Sequence, residues 1–518
     1  MTIRPTDPSA IDGKFAPPEE HARFLVIGAG PAGAAAAIEA ARLGADVVLI
    51  DENPVDPQLM GLDTPLFYGG RMTGAVQHRG RVIESLLLAN PALEEAVGLG
   101  VDVRLGVTAW GLFVGGPALR SLPVPVVGLA DAGRSWMCGF DRLVVATGAR
   151  DVALAFPGWN QPGVVGANGL DALLQRYDAF AGRRVVVLGS GDLGVDTALA
   201  AHGRGLDVSA VVEVLDRSPA SPERLAALAG AKIPLLAGCR ALRAKNGRDG
   251  VAGLILAPRE GADVEIECDT ICLAVALAPA IELLDAAGAR IAPDGARGGH
   301  APMLTGWATS LPGVFAAGDA AGLAASAQEG AEQGRQAARQ ALGAAAEGAP
   351  RPGADAWAYQ SVWCEALAAD ADPTLMICQC EDVTRGDLLA VRAPRYLGEA
   401  TAAARARDLA SLIADGPPNQ DQIKRLTRTG MGPCQGRRCR EQVALTLARA
   451  SGLSPAEVPL ARHRPPVRPL PLEVMADWSE TPAMTGGWEI WFAIPGQWAA
   501  YEDIGTEREF VTPFGREP

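Results

Sequence analysis

Nine cysteines are spread over 518 residues, and four of them fall into two tight pairs late in the chain. Cys378 and Cys380 have one residue between them in ICQCEDVTRGDL; Cys434 and Cys439 have four in TGMGPCQGRRCREQ. Thiolates are soft ligands, and four of them on two short loops hold either zinc or a [2Fe–2S] cluster. Zinc sites favour two residues between paired cysteines, a habit that spacings of one and four break on both sides. A helix signal follows each pair: Thr384 caps a run from Arg385, and Arg440 opens an apolar-periodic segment. Helix N-termini placed there offer backbone N–H groups to the sulfurs. Lys424, Arg425, Arg428, Arg437, Arg438 and Arg440 surround the second pair. They are either a solvated basic face or cations beside a negative centre, raising its potential and steering an acidic partner.

A different chemistry is written near the N-terminus. FLVIGAGPAGAAAAIEAARLGADVVLIDE reads strand, glycine turn, helix, strand. Gly28 permits the tight turn, Gly30 lets a pyrophosphate approach the backbone, and Gly33 lets helix and strand pack closely. Pro31 and Ala32 open the helix, and Asp51 and Glu52 close the second strand, where a carboxylate accepts from a ribose hydroxyl. RRVVVLGSGDLGVDTALAAHGRGLDVSAVVEV repeats the unit with Gly189, Gly191, Gly194 and an acid, Glu213, which suits NAD over NADP. This is an internal duplication of one Rossmann-like unit. Whether the second copy binds NAD or survives as scaffold stays open. Two further strands end in polar turns: Ala146-Thr147-Gly148 after FDRLVV, and Gly318-Asp319 after LPGVFAA.

These sites need a well-packed α/β frame, and the composition allows one. Hydrophobic residues make up 48% of the chain, with 61 glycines for tight turns. A formal charge of −14 argues against non-specific nucleic-acid binding. There is no apolar run long enough for a membrane helix and no apolar leader in MTIRPTDPSAIDGKF. The expected place is the cytoplasm, or a membrane reached only through a complex. There thiols stay reduced, so the cysteines do not imply a disulfide framework. Cys268 and Cys272 read as packing on one face of a single alternating strand, EIECDTIC. The five histidines are scattered and read as surface or structural.

The glycine turns with ATG and GD resemble the two-dinucleotide-domain flavoproteins, the thioredoxin and glutathione reductases. That resemblance implies FAD at the first site, Asp319 at the flavin's ribityl and phosphate region, and a helix starting near Ala324 aimed at it. An adenine nucleotide alone is the alternative. CQCEDVTRGDL and QIKRLTRTGMGPCQGRRC resemble the bacterioferritin-associated-ferredoxin-like [2Fe–2S] domain, which implies iron–sulfur rather than zinc. The segment between the pairs is longer than that family's and reads as a helical insertion.

The whole order, with AFPGWNQPGVVGANGLDALLQ (155–175), is similar to the large FAD/iron–sulfur subunits of opine oxidases and hydrogen cyanide synthase. The α subunits of heteromeric proline, hydroxyproline and sarcosine-oxidising enzymes are more distant kin. The resemblance implies a partner with its own FAD and a D-amino-acid-oxidase-like fold, which dehydrogenates the amine. Further features of that family are a small ferredoxin-like third subunit, and FMN at the interface between subunits. The flavoprotein part lacks the redox cysteine pair of disulfide reductases. The family's GGQ element is replaced by a later Gly69-Gly70-Arg71, and Trp478, Trp488, Trp491 and Trp498 crowd the tail, which is expected to pack on a partner subunit or back on its own domain.

The expected organisation is an N-terminal tail (1–21), an FAD-type domain (22–154 and 276–343) with an NAD-type domain inserted (155–275), a linker (344–371), a small helical cluster domain (372–455) and a tail (456–518). The expected role is electron transfer within a heteromeric enzyme that oxidises the C–N bond of an opine-like secondary amine or amino acid. An NAD(P)H-dependent reductase acting alone, and a nucleotide-bearing scaffold with only the cluster active, stay open beside it.

Overall fold

A computed structural model describes residues 16–54, 79–115, 122, 124–368, 372–394, 396, 398, 401–476 and 480–485. The Gly69-Gly70-Arg71 element and the four tail tryptophans lie outside them.

Apolar runs such as FLVI and RVVVL, without alternation, suit strands buried on both faces of a parallel sheet. The first such sheet is built from β1 (Glu20–Ile27), β2 (Val47–Asp51), β3 (Asp102–Leu105), β4 (Thr108–Phe113), β5 (Val126–Ala130) and β6 (Ser135–Val145). Its order is β3-β2-β1-β6-β5-β4, parallel from β3 to β6 and antiparallel beyond. A late strand, β12 (Val314–Ala316), returns to pair with β6. Helix α1 (Pro31–Arg42) begins at the extended Gly30 with Pro31 in its first turn, where a missing N–H costs nothing. Its alanines let α3 (Ala327–Ala341) approach so closely that a Cβ on Gly334 would stand 1.9 Å from the Ala32 carbonyl oxygen.

The second sheet forms entirely between those strands. It comprises β7 (Val164–Gly166), β8 (Arg184–Leu188), β9 (Asp207–Val212), β10 (Leu235–Leu236) and β11 (Thr270–Leu273), all parallel in the order β10-β9-β8-β11-β7. Helix α2 (Asp192–Gly203) follows its glycine turn. The expected single strand EIECDTIC is broken: Val264–Ile266 joins a separate antiparallel sheet, and β11 starts at Thr270. Asp269 causes the break, because its carboxylate turns to accept from the Arg183 and Arg184 backbone N–H groups. Cys268 and Cys272 are nonetheless buried, as packing requires, and burial pushes the Cys268 thiol up to about 12.

A third unit follows helix α4 (Ala356–Leu367), which Asp355 caps through the Trp357 N–H. Met376–Cys378 pairs with Val383–Thr384 as a two-stranded ribbon. Thr384 and Asp387 then form a reciprocal capping box for α5 (Arg385–Leu389), as the sequence signal predicts. The insertion is helical at Ala402–Arg405 and Leu409–Asp415, the helix Gln420–Thr427 leads into the second cysteine pair, and α6 (Arg440–Ser451) closes the unit. Ile377, Val383, Leu388, Ile423, Val443 and Leu447 form its core. Each contributes about 1.5–3 kcal/mol by burial, and together they hold the two cysteine loops face to face.

Candidate cofactor sites

At the first turn each glycine has a distinct physical task. Gly28 sits at φ +102°, and a Cβ there would lie 2.3 Å from the Ala146 carbonyl oxygen. A Cβ on Gly33 would lie 1.7 Å from the Gly28 oxygen, whereas Gly30 faces open space. The backbone is therefore bare where a pyrophosphate would approach. Asp51 accepts from the Ala29 N–H (2.5 Å), the Asn53 N–H (2.8 Å) and Asn53 Nδ2 (2.7 Å). Glu52 pairs with Arg468 at 2.6 Å, and burial raises its pKa. Thr147 Oγ1 donates to the Ala280 carbonyl at 2.8 Å, fixing the ATG turn. Asp319 accepts from the Ala324 N–H at 2.9 Å, and burial raises its pKa as well. One cleft is lined by Gly28, Gly30, Asp51, Thr147, Gly148 and Asp319. Pro31 and Ala32 lie in the helix turn beside it, with the Ala32 Cβ 2.6 Å from a Cβ built on Gly318. The helix after GD begins at Ala327 rather than Ala324, because Ser326 supplies the cap and residues 318–321 form a short 3₁₀ turn.

The four paired cysteines converge. Cys378 Sγ is 3.9 Å from Cys380 Sγ, which is 3.7 Å from Cys434 Sγ, and the Cys439 thiol faces Cys378. Two tetrahedral ligands about 2.3 Å from one metal stand about 3.8 Å apart, so these spacings suit a thiolate-bound centre. Among the described residues no three or more His, Cys, Asp or Glu side chains are grouped so as to hold a metal ion as they stand; the thiols form a chain of contacts. The contact with the Cys378 thiol pushes the exposed Cys380 up to about 12, so a metal must displace the protons. Backbone N–H groups already point at the sulfurs: Gly430 at Cys378 (3.4 Å), and Gly436 and Arg438 at Cys434.

The basic residues divide into two sets. Arg425 is exposed and Arg428 pairs with Glu381 at 2.7 Å. Arg437, Arg438 and Arg440 are buried, so for them the solvated-face reading is wrong. Arg438 is 7% exposed, and its Nε and Nη2 have no hydrogen-bond partner among the described residues. Burial lowers its pKa, and the groups that would oppose its charge, once deprotonated, are the four cysteine thiols. A buried cation without a counter-ion costs several kcal/mol. The donor set and this orphaned guanidinium together fit a negatively charged four-thiolate centre.

Sequence reasoning missed the residue that joins the two sites. Arg150 ends the ATGAR stretch and lines the first cleft. Its Nε donates to Glu282 (2.7 Å) and its Nη1 to Glu441 (2.6 Å) and to the Arg437 carbonyl (3.0 Å), between Cys434 and Cys439. Burial works against its charge, but the two carboxylates outweigh it and hold its pKa above the usual guanidinium range. Trp159, from the 155–175 motif, adds a second brace: its Nε1 donates to the Met376 carbonyl at 2.8 Å, and Arg438 lies 5.2 Å over its ring.

The second turn is built like the first. Gly189 has φ +105°, and a Cβ on Gly194 would stand 1.9 Å from the Gly189 oxygen. Glu213, fully buried, accepts from Ser190 Oγ (2.6 Å), the Ser190 N–H (3.1 Å), the Leu215 N–H (3.0 Å) and the Tyr359 hydroxyl (2.5 Å). A Cβ on Gly191 would meet the Tyr359 ring at 3.7 Å.

Residues 22–341 match the family model described as pyridine nucleotide-disulphide oxidoreductase. The chain belongs to that oxidoreductase family. Within it, the likeness to the large subunits of opine oxidases read from the sequence is borne out. The chain is 28% identical to the opine oxidase A-subunit of Agrobacterium tumefaciens (strain Ach5) over 497 residues, covering 88% of this chain and 91% of that protein. It is 26% identical to hydrogen cyanide synthase subunit HcnB of Pseudomonas aeruginosa, covering 87% and 97%. Residues 402–478 match the sarcosine oxidase A3 domain model. The L-proline dehydrogenase structure from P. horikoshii shares the fold, with TM-score 0.59 and 20% identity, over 88% of this chain and 79% of that one. The family and its flavoprotein members support FAD at the first site. Among the described residues no helix is long and apolar enough to cross a membrane.

Proposed function

We propose that this chain is the electron-transferring component of a heteromeric flavin oxidoreductase that oxidises the C–N bond of an opine-like secondary amine or amino acid. The carrying observation is the four-thiol cluster beside the buried, unpaired Arg438, wired by Arg150 to the open dinucleotide cleft. Gly28, Gly30, Pro31, Ala32, Gly33, Asp51, Glu52, Ala146, Thr147, Gly148, Gly318 and Asp319 would hold FAD, and Cys378, Cys380, Cys434 and Cys439 a [2Fe–2S] cluster. When bound, a flavin exchanges electrons in pairs or singly and an iron–sulfur centre exchanges them singly. The chain's own residues prepare that chemistry. The bare Gly30 backbone receives the pyrophosphate, and Asp319 orients toward the ribityl region. Arg438 offsets thiolate charge, and Arg150 fixes the spacing of the two sites. The expected domain limits, with an inserted second dinucleotide unit and a cluster domain over 372–455, are part of this reading. Amine oxidation itself belongs to a partner with its own FAD and a D-amino-acid-oxidase-like fold, joined by a small ferredoxin-like subunit. FMN would sit between subunits.

Co-expression with an amine-oxidising partner subunit tests the reading. The purified complex should contain FAD and about two irons per copy of this chain. Cys380→Ser should abolish the iron and its visible absorbance while FAD content stays. Unchanged iron in C380S sinks the cluster assignment, and amine oxidation by this chain alone sinks the division of labour.

A further inference from the structure

The second turn keeps its three glycines and its strand-end acid, but a side chain of the protein already stands among them. A carboxylate offers about four acceptor positions. Glu213 meets four donors from within the chain: the Ser190 N–H, Ser190 Oγ and the Tyr359 hydroxyl converge on Oε2, and the Leu215 N–H reaches Oε1. In a dinucleotide site this acid takes the ribose hydroxyl. Here a phenol hydroxyl takes that position from 146 residues away. The same ring lies 3.7 Å from the Cβ position of Gly191, the glycine left bare for a pyrophosphate. The Ser190 N–H also points at the Tyr359 hydroxyl, at 3.1 Å.

Tyr359 is not on a loose segment. It belongs to α4, which Asp355 caps. One turn on, Trp363 is fully buried and meets the Tyr359 ring edge-on at 6.5 Å between centroids. Trp363 and Leu367 share one apolar cluster with Val186, Leu188 and Val212 of the second sheet and with Leu445 of α6. The helix therefore joins the second unit to the cysteine unit.

We propose that Tyr359 is an internal substitute for the ribose of a dinucleotide, so that the second unit receives helix α4 and docks the cysteine unit instead of binding NAD. The duplicated nucleotide turn has become an interdomain socket. Its acid recognises a hydroxyl, as before, but the hydroxyl is the protein's own.

The test compares NADH binding to the purified full chain and its Tyr359→Ala variant by calorimetry, with iron content and melting temperature as checks on folding. Emptying the socket removes the competing occupant, so affinity should rise at least about tenfold. Adding Glu213→Gln to the variant should abolish the gain, which places the ligand in this turn. A ratio near one overturns the proposal, whether both proteins bind or neither does. A gain that survives E213Q overturns it too. Should Y359A fail to fold, Tyr359→Leu decides: hydroxyl and ring both leave the turn while an apolar side chain still packs on Trp363, and NADH affinity should rise by at least about threefold, whereas no rise rejects the idea.

Discussion

The two glycine turns differ little in sequence and almost wholly in what faces them. Around Gly30 there is open space, and Asp51 spends its acceptor positions on three donors from residues 29 and 53. Around Gly191 stands the Tyr359 ring, and Glu213 takes a fourth donor from a distant helix. Both turns satisfy the same local geometry, since Gly28 and Gly189 adopt nearly the same positive φ against a carbonyl of the neighbouring strand. The lesson is that the glycine pattern secures a turn able to hold a nucleotide. Whether the turn is empty is decided by tertiary neighbours that the pattern does not contain.

The largest effect expected on this contrast is at Arg150. The open cleft is tied to the cysteine unit by a buried ion-pair network, and the filled turn by one helix. Arg150→Met would leave Glu282 and Glu441 buried without their cation, a loss of about 3–5 kcal/mol measurable by urea denaturation. The cysteine unit should loosen first, seen as faster proteolysis between the second sheet and Cys378. A loss below about 1 kcal/mol would mean that the network does not couple the sites.

The next effect separates the turns directly. Gly30→Val puts bulk where nothing stands within 4 Å, so the empty fold should survive while FAD affinity falls by about 2–4 kcal/mol, or more than tenfold. Gly191→Val presses on the Tyr359 ring and should leave FAD content unchanged. Flavin spectra of the two purified variants give the answer. Equal flavin loss in both would erase the distinction drawn between them.

What the sequence made legible follows the same line. The glycine turns, the ATG and GD strand ends and the capping box at Thr384 depend on neighbours within a few residues, and their types and spacing announce them. The cysteine pairs were legible because thiols at spacings of one and four serve few other purposes. Arg150, Glu441 and Tyr359 were not. Their partners lie 132 to 291 residues away, and an arginine at a strand end or a tyrosine in an alanine-rich linker is unremarkable by itself. One faint signal existed. AWAYQSVWCEAL places Tyr359 and Trp363 four apart, a pairing that a solvent-exposed linker helix has no reason to carry. The burial of Arg437, Arg438 and Arg440 was equally hidden, since charge runs are usually solvated.

The smallest effect is also the most discriminating for the contrast between the acids. Tyr359→Phe removes one hydroxyl from a fully buried carboxylate and leaves the ring in place. Glu213 keeps three donors, so the cost should be about 0.5–1.5 kcal/mol. Tyr177→Phe, at a residue of the inserted unit that reaches the first turn, removes a hydroxyl that donates to Asn53 Oδ1 rather than to the acid. That change should cost no more than Tyr359→Phe, because Asp51 retains all three of its donors. If the acid is the socket's anchor, Tyr359→Phe and Glu213→Gln should be non-additive in a double-mutant cycle, with a coupling of about 0.5–3 kcal/mol. Tyr177→Phe and Asp51→Asn, whose side chains are linked through Asn53, should couple more weakly. Equal coupling in the two cycles would show that the tyrosine on Glu213 is ordinary packing, and the difference between an open and a filled turn would then rest on the ring alone.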